Sequence, residues 1–263
     1  MDLWKMEPLI EIFLVAVGCC LGSFFNVVIH RLPSRQSLVF PGSRCPSCRS
    51  PIAWYDNLPL LSYLLLRGRC RSCKARISLR YPLVELLTGI LALLLYRQFG
   101  LGFSFVLFFI FSALLLLIAF IDLDTYLIPD VLSLSGLVVG LIASLVGSHL
   151  SWSDSLLGAL LGGGLFYAVA WAYQALRKQD GLGGGDIKLL AMIGAFTGWQ
   201  GVVFTIFVSS VLGTAVGLGM MVRHREKMAS ARIPFGPFLS LGAICYLFWG
   251  KAVFQWYLGF LSG

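Results

Sequence analysis

The sequence predicts an all-α, polytopic integral membrane protein of about eight transmembrane helices with a cytoplasmic four-cysteine zinc-knuckle insertion. Three observations carry this. The 263 residues are 58% hydrophobic and only 12% charged, with a mean hydropathy of +0.86, where ordinary soluble domains hold about 25% charge. The apolar residues gather in runs of a length that crosses a hydrocarbon core, for which about 20 helical residues suffice. The basic residues gather between those runs.

The runs are 9–29, 82–97, 103–121, 131–148, 155–176, 187–199, 201–222 and 236–260. The first is too long for a cleaved signal peptide. Its nearby Lys5 sits among Asp2, Glu7 and Glu11, and no small-residue cleavage site follows. The second opens after Arg80-Tyr81-Pro82 and carries Glu85. The third ends at Asp122, and Pro129 breaks the chain before the fourth. The sixth is short, with a start set by the glycine-rich stretch 181–185. Such backbone is tolerated at membrane depth only where protein or a watery cavity satisfies it. Residues 1–100 thus form an N-terminal region with two spans and an insertion at about 30–80, and residues 101–263 form a six-helix part.

Charge sets the orientation. Segment 30–80 holds ten Lys or Arg against one acid, Asp56. Segment 177–188 adds Arg177, Lys178 and Lys188, and segment 223–232 adds Arg223, Arg225, Lys227 and Arg232. All three fall on one side of an eight-span chain, which leaves Lys5, Arg97 and Lys251 for the other. The positive-inside rule makes the first side cytoplasmic, and the acids Asp122 and Asp186 fall there too. The net charge of +8 raises nucleic acid as a partner, but no nucleic-acid motif is present. Anionic lipid head groups are the expected partner of the basic loops.

The insertion carries Cys45-Pro-Ser-Cys48 and Cys70-Arg-Ser-Cys73, two C-x-x-C knuckles 21 residues apart. Each two-residue spacer turns both sulfurs to one ion, and four thiolates make a closed tetrahedral site. The expected occupant is structural Zn2+. Two disulfides are the competing reading, disfavoured where thiols stay reduced. Arg44, Arg49, Arg69, Arg71 and Lys74 surround the knuckles and are expected to lower the thiol pKa values. Cys19, Cys20 and Cys245 lie in apolar runs and read as ordinary buried thiols.

A carboxylate at a helix end beside a bilayer is expensive and is a functional candidate for that reason. Asp122 ends one apolar run and Asp186, after Gly183-Gly-Gly185, opens another. Two carboxylates held together cannot both ionise cheaply. One then takes a proton from water, and the other donates to the scissile carbonyl, with no metal needed. The alternative is that the acids are helix-end caps paired with Lys or Arg, a role that suits Asp130 and Asp180. No H-E-x-x-H, G-x-S-x-G or Asp-Thr-Gly occurs.

Ordered motifs along most of the chain point to a family. They are Gly22-Ser-Phe-Phe-Asn-Val-Val-Ile-His-Arg-Leu-Pro33, the two knuckles, Arg80-Tyr-Pro-Leu-Val-Glu-Leu86, Ile121-Asp-Leu-Asp-Thr-Tyr-Leu-Ile-Pro-Asp130, Gly183-Gly-Gly-Asp-Ile-Lys-Leu189 and Ile233-Pro-Phe-Gly-Pro-Phe238. The chain resembles bacterial type IV prepilin peptidases, the G-x-G-D aspartyl proteases of type IV pilus and type II secretion systems. The resemblance implies a multi-pass enzyme of the bacterial inner membrane. It implies removal of a short basic leader from prepilins and pseudopilins, after Gly and before Phe or Met, at the cytoplasmic face. Asp122 and Asp186 are then catalytic, without a metal in the protease site. Asp124, Lys188 and Glu85 are supporting or substrate-binding candidates. Many members also methylate the new N-terminus with S-adenosylmethionine, in the N-terminal region. For Glu85 a methyl-transfer or substrate-amine contact stands beside plain helix packing or pairing with Arg80, and Asn26 reads as interhelical glue. Because the leader and segment 30–80 are both basic, Asp124, Asp130 and Asp180 are the expected leader contacts. The rival classes are a transporter with a zinc-stabilised cap, for which no internal repeat is found, and a methyltransferase with a dead protease.

Overall fold

The computed structural model describes residues 3–146, 150–177, 183–223 and 233–262. Their helices, in chain order, are α1 (Leu3–Arg31), α2 (Leu61–Leu65), α3 (Arg80–Phe99), α4 (Phe103–Thr125), α5 (Asp130–Leu145), α6 (Trp152–Arg177), α7 (Gly184–Arg223) and α8 (Gly236–Ser262). Among the described residues there is no strand, only two isolated antiparallel bridges. Five helices, α1, α3, α4, α6 and α7, are long and apolar enough to cross a membrane, and α5 and the Gly236–Gly250 part of α8 are shorter apolar helices. The chain is an all-helical membrane protein.

The apolar runs lie where the sequence places them, with one difference. Runs six and seven are two helical arms of α7 separated by a kink at Gly198, where the backbone leaves helical angles (φ 71°, ψ −177°). That backbone region is open to glycine and nearly closed to other residues. The break between the two arms therefore falls at Gly198, two residues before the gap expected at position 200.

The chain divides into two compact units, Met1–Phe109 and Ile110–Gly263. In the first, α1 packs on α3 through glycines. A Cβ on Gly18 would lie 2.9 Å from the Cα of Gly89, and one on Gly22 would lie 2.7 Å from the Cα of Glu85. Gly18 and Gly22 are four apart, so one small-residue face lets the two backbones touch. Asn26 Nδ2 donates to the carbonyl of Tyr81 at 3.1 Å, the interhelical bond expected of it.

In the second unit α7 is the hub and packs against α5, α6 and α8. Where α6 crosses α7, a Cβ on Gly158 or Gly194 would overlap the other's carbonyl oxygen. The first arm of α7 buries Leu189, Leu190, Met192, Ile193 and Phe196 completely, and Phe196 stacks on Phe111 of α4 at 4.4 Å. Lipid tails are as apolar as leucine, so close packing rather than expulsion from water holds such helices together in a bilayer.

Candidate functional site

Asp122 lies in the last turn of α4 and is 5% exposed. The helix runs three residues past it to Thr125, whose hydroxyl donates back to the Ile121 carbonyl at 2.8 Å. Tyr126, at φ 56°, turns the chain out of the helix, and Pro129 caps α5. The segment between folds onto the start of α7. A Cβ on Gly185 would come 2.8 Å from the Cβ of Ile128, so glycine at that position lets the two motifs meet. Lys188 Nζ closes the same junction on Asp130, at 2.7 Å.

These two ties bring Asp186, the third residue of α7, into the electrostatic reach of Asp122. A third element completes the arrangement. The backbone N–H of Gly236, at the start of α8, donates to Asp122 Oδ2 at 2.9 Å in a buried setting. A Cβ on Gly236 would sit 2.6 Å from that oxygen. The sequence carries the Pro234-Phe-Gly-Pro237 motif without showing a task for it. In the structure it orients one carboxylate oxygen of Asp122 and leaves the other for chemistry. A buried carboxylate held by a backbone donor, next to a second carboxylate, is a constellation that can manage protons at a peptide carbonyl.

The secondary candidates divide. Asp124 is exposed. Lys188 and Asp130 hold each other, so both act at the junction of α5 and α7. Asp130 fits the paired-acid role expected of it. Asp180 lies outside the described residues.

The four cysteines converge in the first unit. Their sulfurs all lie within 4.8 Å of one another, and Cys45 and Cys73 Sγ are 3.8 Å apart. Zn–S bonds of about 2.3 Å at a tetrahedral ion give S···S edges of about 3.8 Å, so the cluster fits such an ion. The two knuckles repeat one backbone pattern. Cys45 N–H bonds the Ser50 carbonyl and Arg49 N–H the Cys45 carbonyl; Cys70 N–H bonds the Ala75 carbonyl and Lys74 N–H the Cys70 carbonyl. Arg49 and Lys74 take the same left-handed turn, φ 58° and 59°.

The thiol chemistry differs in cause from the expectation. The Ser50 hydroxyl and amide beside Cys48 hold its thiol down at about 6, and the backbone amides of Cys73 and Ser72 lower Cys70. Local hydrogen bonds, not the surrounding arginines, are the largest influence on both. Arg71 is engaged elsewhere, in a two-pronged pair with Asp56 at 2.6 and 2.7 Å that also spans the Tyr55 ring.

Glu85 on α3 is 8% exposed. Its Oε2 accepts the Leu60 backbone N–H at 2.8 Å. The sequence shows no partner for this acid; the structure supplies this amide. Leu60 has φ 59° and ψ −48°, a backbone state that costs of the order of 1–3 kcal/mol unless its surroundings enforce it. The Glu85 bond is part of that enforcement.

Residues 16–99 match the bacterial peptidase A24 N-terminal domain and residues 109–218 the type IV leader peptidase family. The chain is 38% identical over 279 residues to a prepilin leader peptidase/N-methyltransferase of Aeromonas hydrophila, covering 97% of this chain and 94% of that protein. A protein of the same description from Pseudomonas aeruginosa is 39% identical over 269 residues, covering 94% and 92%. One from Myxococcus xanthus is 41% identical over 215 residues, covering 82% and 64%. No solved structure matches the chain significantly.

Proposed function

This chain belongs to the type IV leader peptidase family, and from that premise we propose that it is a membrane-embedded aspartyl endopeptidase that removes prepilin and pseudopilin leaders and then N-methylates the new N-terminus. The observation that carries the peptidase reading is a buried Asp122 held by the Gly236 backbone N–H, with Asp186 within its electrostatic reach. One carboxylate takes a proton from water as the water oxygen attacks the carbonyl carbon of the leader's Gly. The other donates its proton to the carbonyl oxygen; the C–N bond then breaks as the tetrahedral intermediate collapses, and the proton taken from water passes to the leaving amine. The Gly236 bond keeps Asp122 from turning away, so orientation is settled before substrate arrives. Asp124 and Asp130 lie close in sequence to Asp122 and would meet the basic leader. The dyad opens at the cytoplasmic face of a bacterial inner membrane, a reading supported by Lys188 and its basic neighbours.

Cys45, Cys48, Cys70 and Cys73 would hold one Zn2+ with no open position, a structural role. We expect one zinc per chain by elemental analysis, and loss of it in Cys48→Ser. Zinc is held by thiolates and not by thiols, so protonation on acidification should release it and mild alkali should keep it. Zinc unchanged at pH 5, or in Cys48→Ser, contradicts this assignment.

The methylation reading rests on the N-terminal domain match. S-adenosylmethionine would supply an electrophilic methyl to the new α-amine. The test of both activities is mass spectrometry of a prepilin treated with the purified protein and S-adenosylmethionine. A product starting immediately after the leader's Gly and heavier by one methyl is expected. An uncut prepilin overturns the peptidase reading, and a cut, unmethylated one overturns the second activity.

A further inference from the structure

We propose that the short helix α2 lies in the membrane interface, and that the cationic pocket at its end, formed by Arg67, Arg69 and Lys74, seats the phosphate of an anionic phospholipid. For a segment facing water, α2 is inside out. Its polar residues point inward: Ser62 is buried and donates to the Tyr55 carbonyl at 2.9 Å, and the Tyr63 hydroxyl donates to the Ile77 carbonyl at 3.4 Å. Its leucines point outward. Leu61 is exposed, Leu64 is 71% exposed and Leu65 is 81% exposed. An apolar face left open on a helix of five residues is costly in water and at home against lipid.

Glu85 fixes the depth of α2. It accepts the N–H of Leu60, the residue before α2, at 2.8 Å. Glu85 lies five residues into α3, which begins at Arg80 and is long and apolar enough to cross a membrane. At a rise of 1.5 Å per residue this is roughly 7.5 Å along the span from its end. Interfacial helices bury their apolar face about 5–10 Å into the boundary between head groups and acyl chains. The start of α2 is therefore tied level with the outer turns of a membrane span, at the depth where open leucines meet acyl chains.

The chain leaves α2 directly into cations. Leu65, Leu66, Arg67, Arg69, Cys70 and Lys74 line a pocket of about 380 Å³. Every charged side chain in that lining is positive, and all three are exposed. Asp56, the one acid in segment 30–80, is held by Arg71 and does not serve them. The turn is fixed from within, because Gly68 N–H donates to the Tyr63 carbonyl at 2.8 Å and Lys74 N–H to the Cys70 carbonyl at 3.0 Å. Leucines on one side and cations on the other match a phospholipid, with its phosphodiester on the basic groups and an acyl chain along Leu65 and Leu66. Free phosphate would satisfy the cations and leave the leucines open, so the leucines decide for lipid.

The test is amide hydrogen exchange, read by mass spectrometry, on the full-length protein in nanodiscs of phosphatidylcholine alone or mixed with phosphatidylglycerol. Residues 61–67 should exchange at least about tenfold more slowly when phosphatidylglycerol is present. Arg67→Gln/Arg69→Gln/Lys74→Gln should erase that difference. Arg35→Gln/Arg44→Gln/Arg49→Gln removes as many exposed cations of the same insertion outside the pocket and should keep the difference within about twofold. Leu64→Ser/Leu65→Ser should speed exchange by about tenfold in both discs. Exchange in α3 reports that each variant is folded, and the leucine variant decides if the pocket variant also loosens α3. Equal exchange of the wild type in the two discs overturns the phosphate seat. Equal loss in both arginine sets means diffuse charge and overturns it too. An unchanged leucine variant overturns the interfacial helix. In phosphatidylcholine discs, slowing by inorganic phosphate would assign the pocket to a free anion, and slowing by poly-glutamate would assign it to an acidic protein; either overturns the lipid.

Discussion

Asp122→Asn and Asp186→Asn should each abolish leader cleavage while leaving a folded protein. Asn is nearly the same shape as Asp but neither accepts nor gives a proton, and one group's proton transfer accounts for roughly 10²–10⁴ in rate. Because the two carboxylates act as one unit, either loss should cost nearly as much as both together. In Asp122→Asn the new amide oxygen can still accept from Gly236 N–H, so loss of packing is not the cause. Asp124→Asn is the internal control for kcat, because loss of a leader contact raises KM and leaves proton transfer intact. It is two residues from Asp122, yet Asp122 is buried and Asp124 exposed. Cleavage rates for the three variants and the double Asp→Asn variant, each alongside its unfolding temperature, decide the matter. A dead Asp124→Asn beside an active Asp122→Asn would move the dyad to the wrong-facing acid and refute the assignment.

Gly236→Ala should reduce kcat by about 10²-fold with KM within about threefold of wild type, the penalty of misplacing a reacting group by roughly an ångström. The added methyl would start 2.6 Å from Asp122 Oδ2 and 3.2 Å from its Cγ, so the carboxylate must swing and lose the Gly236 N–H. Gly213→Ala is the matched control in the same unit, because its Cβ would meet only ordinary contacts, the nearest at 3.7 Å. A Gly236→Ala enzyme as fast as Gly213→Ala would remove α8 from the site. A large KM effect with normal kcat would instead make Gly236 a substrate contact.

What is legible in the sequence follows the range of the interactions. Apolar runs report on solvent locally, so the helices are readable one by one. The acids at helix ends are readable for the same reason, since a charge beside an apolar run stands out without knowledge of the fold. The knuckles declare themselves through spacing. Asp122 and Gly236, by contrast, are 114 residues apart, and a backbone N–H has no letter in the sequence. Glu85 looks partnerless in the sequence for the same reason: its donor is the amide of Leu60. The break in α7 lies two residues before its expected place because Gly194, Gly198 and Gly201 are equivalent as letters. Only packing separates them, with Gly194 against Gly158, Gly201 against Thr197, and Gly198 alone at positive φ. The thiols read as governed by arginine because charge is visible in a sequence, whereas the Ser50 hydroxyl acts through geometry.

The twin knuckles carry a consequence for chain statistics. Each holds its own pair of sulfurs through bonds internal to six residues, from Cys45 to Ser50 and from Cys70 to Ala75. An ion joining them would therefore shape neither turn; it would work as a cross-link that closes the 21-residue loop between them. In the loop-closure picture such a link removes about 3 kcal/mol of disorder from the open chain for a loop of this size. Stripping the ion would leave both hairpins intact and let the span between them wander, so its effect should be felt as entropy along that loop rather than as damage at the sulfurs.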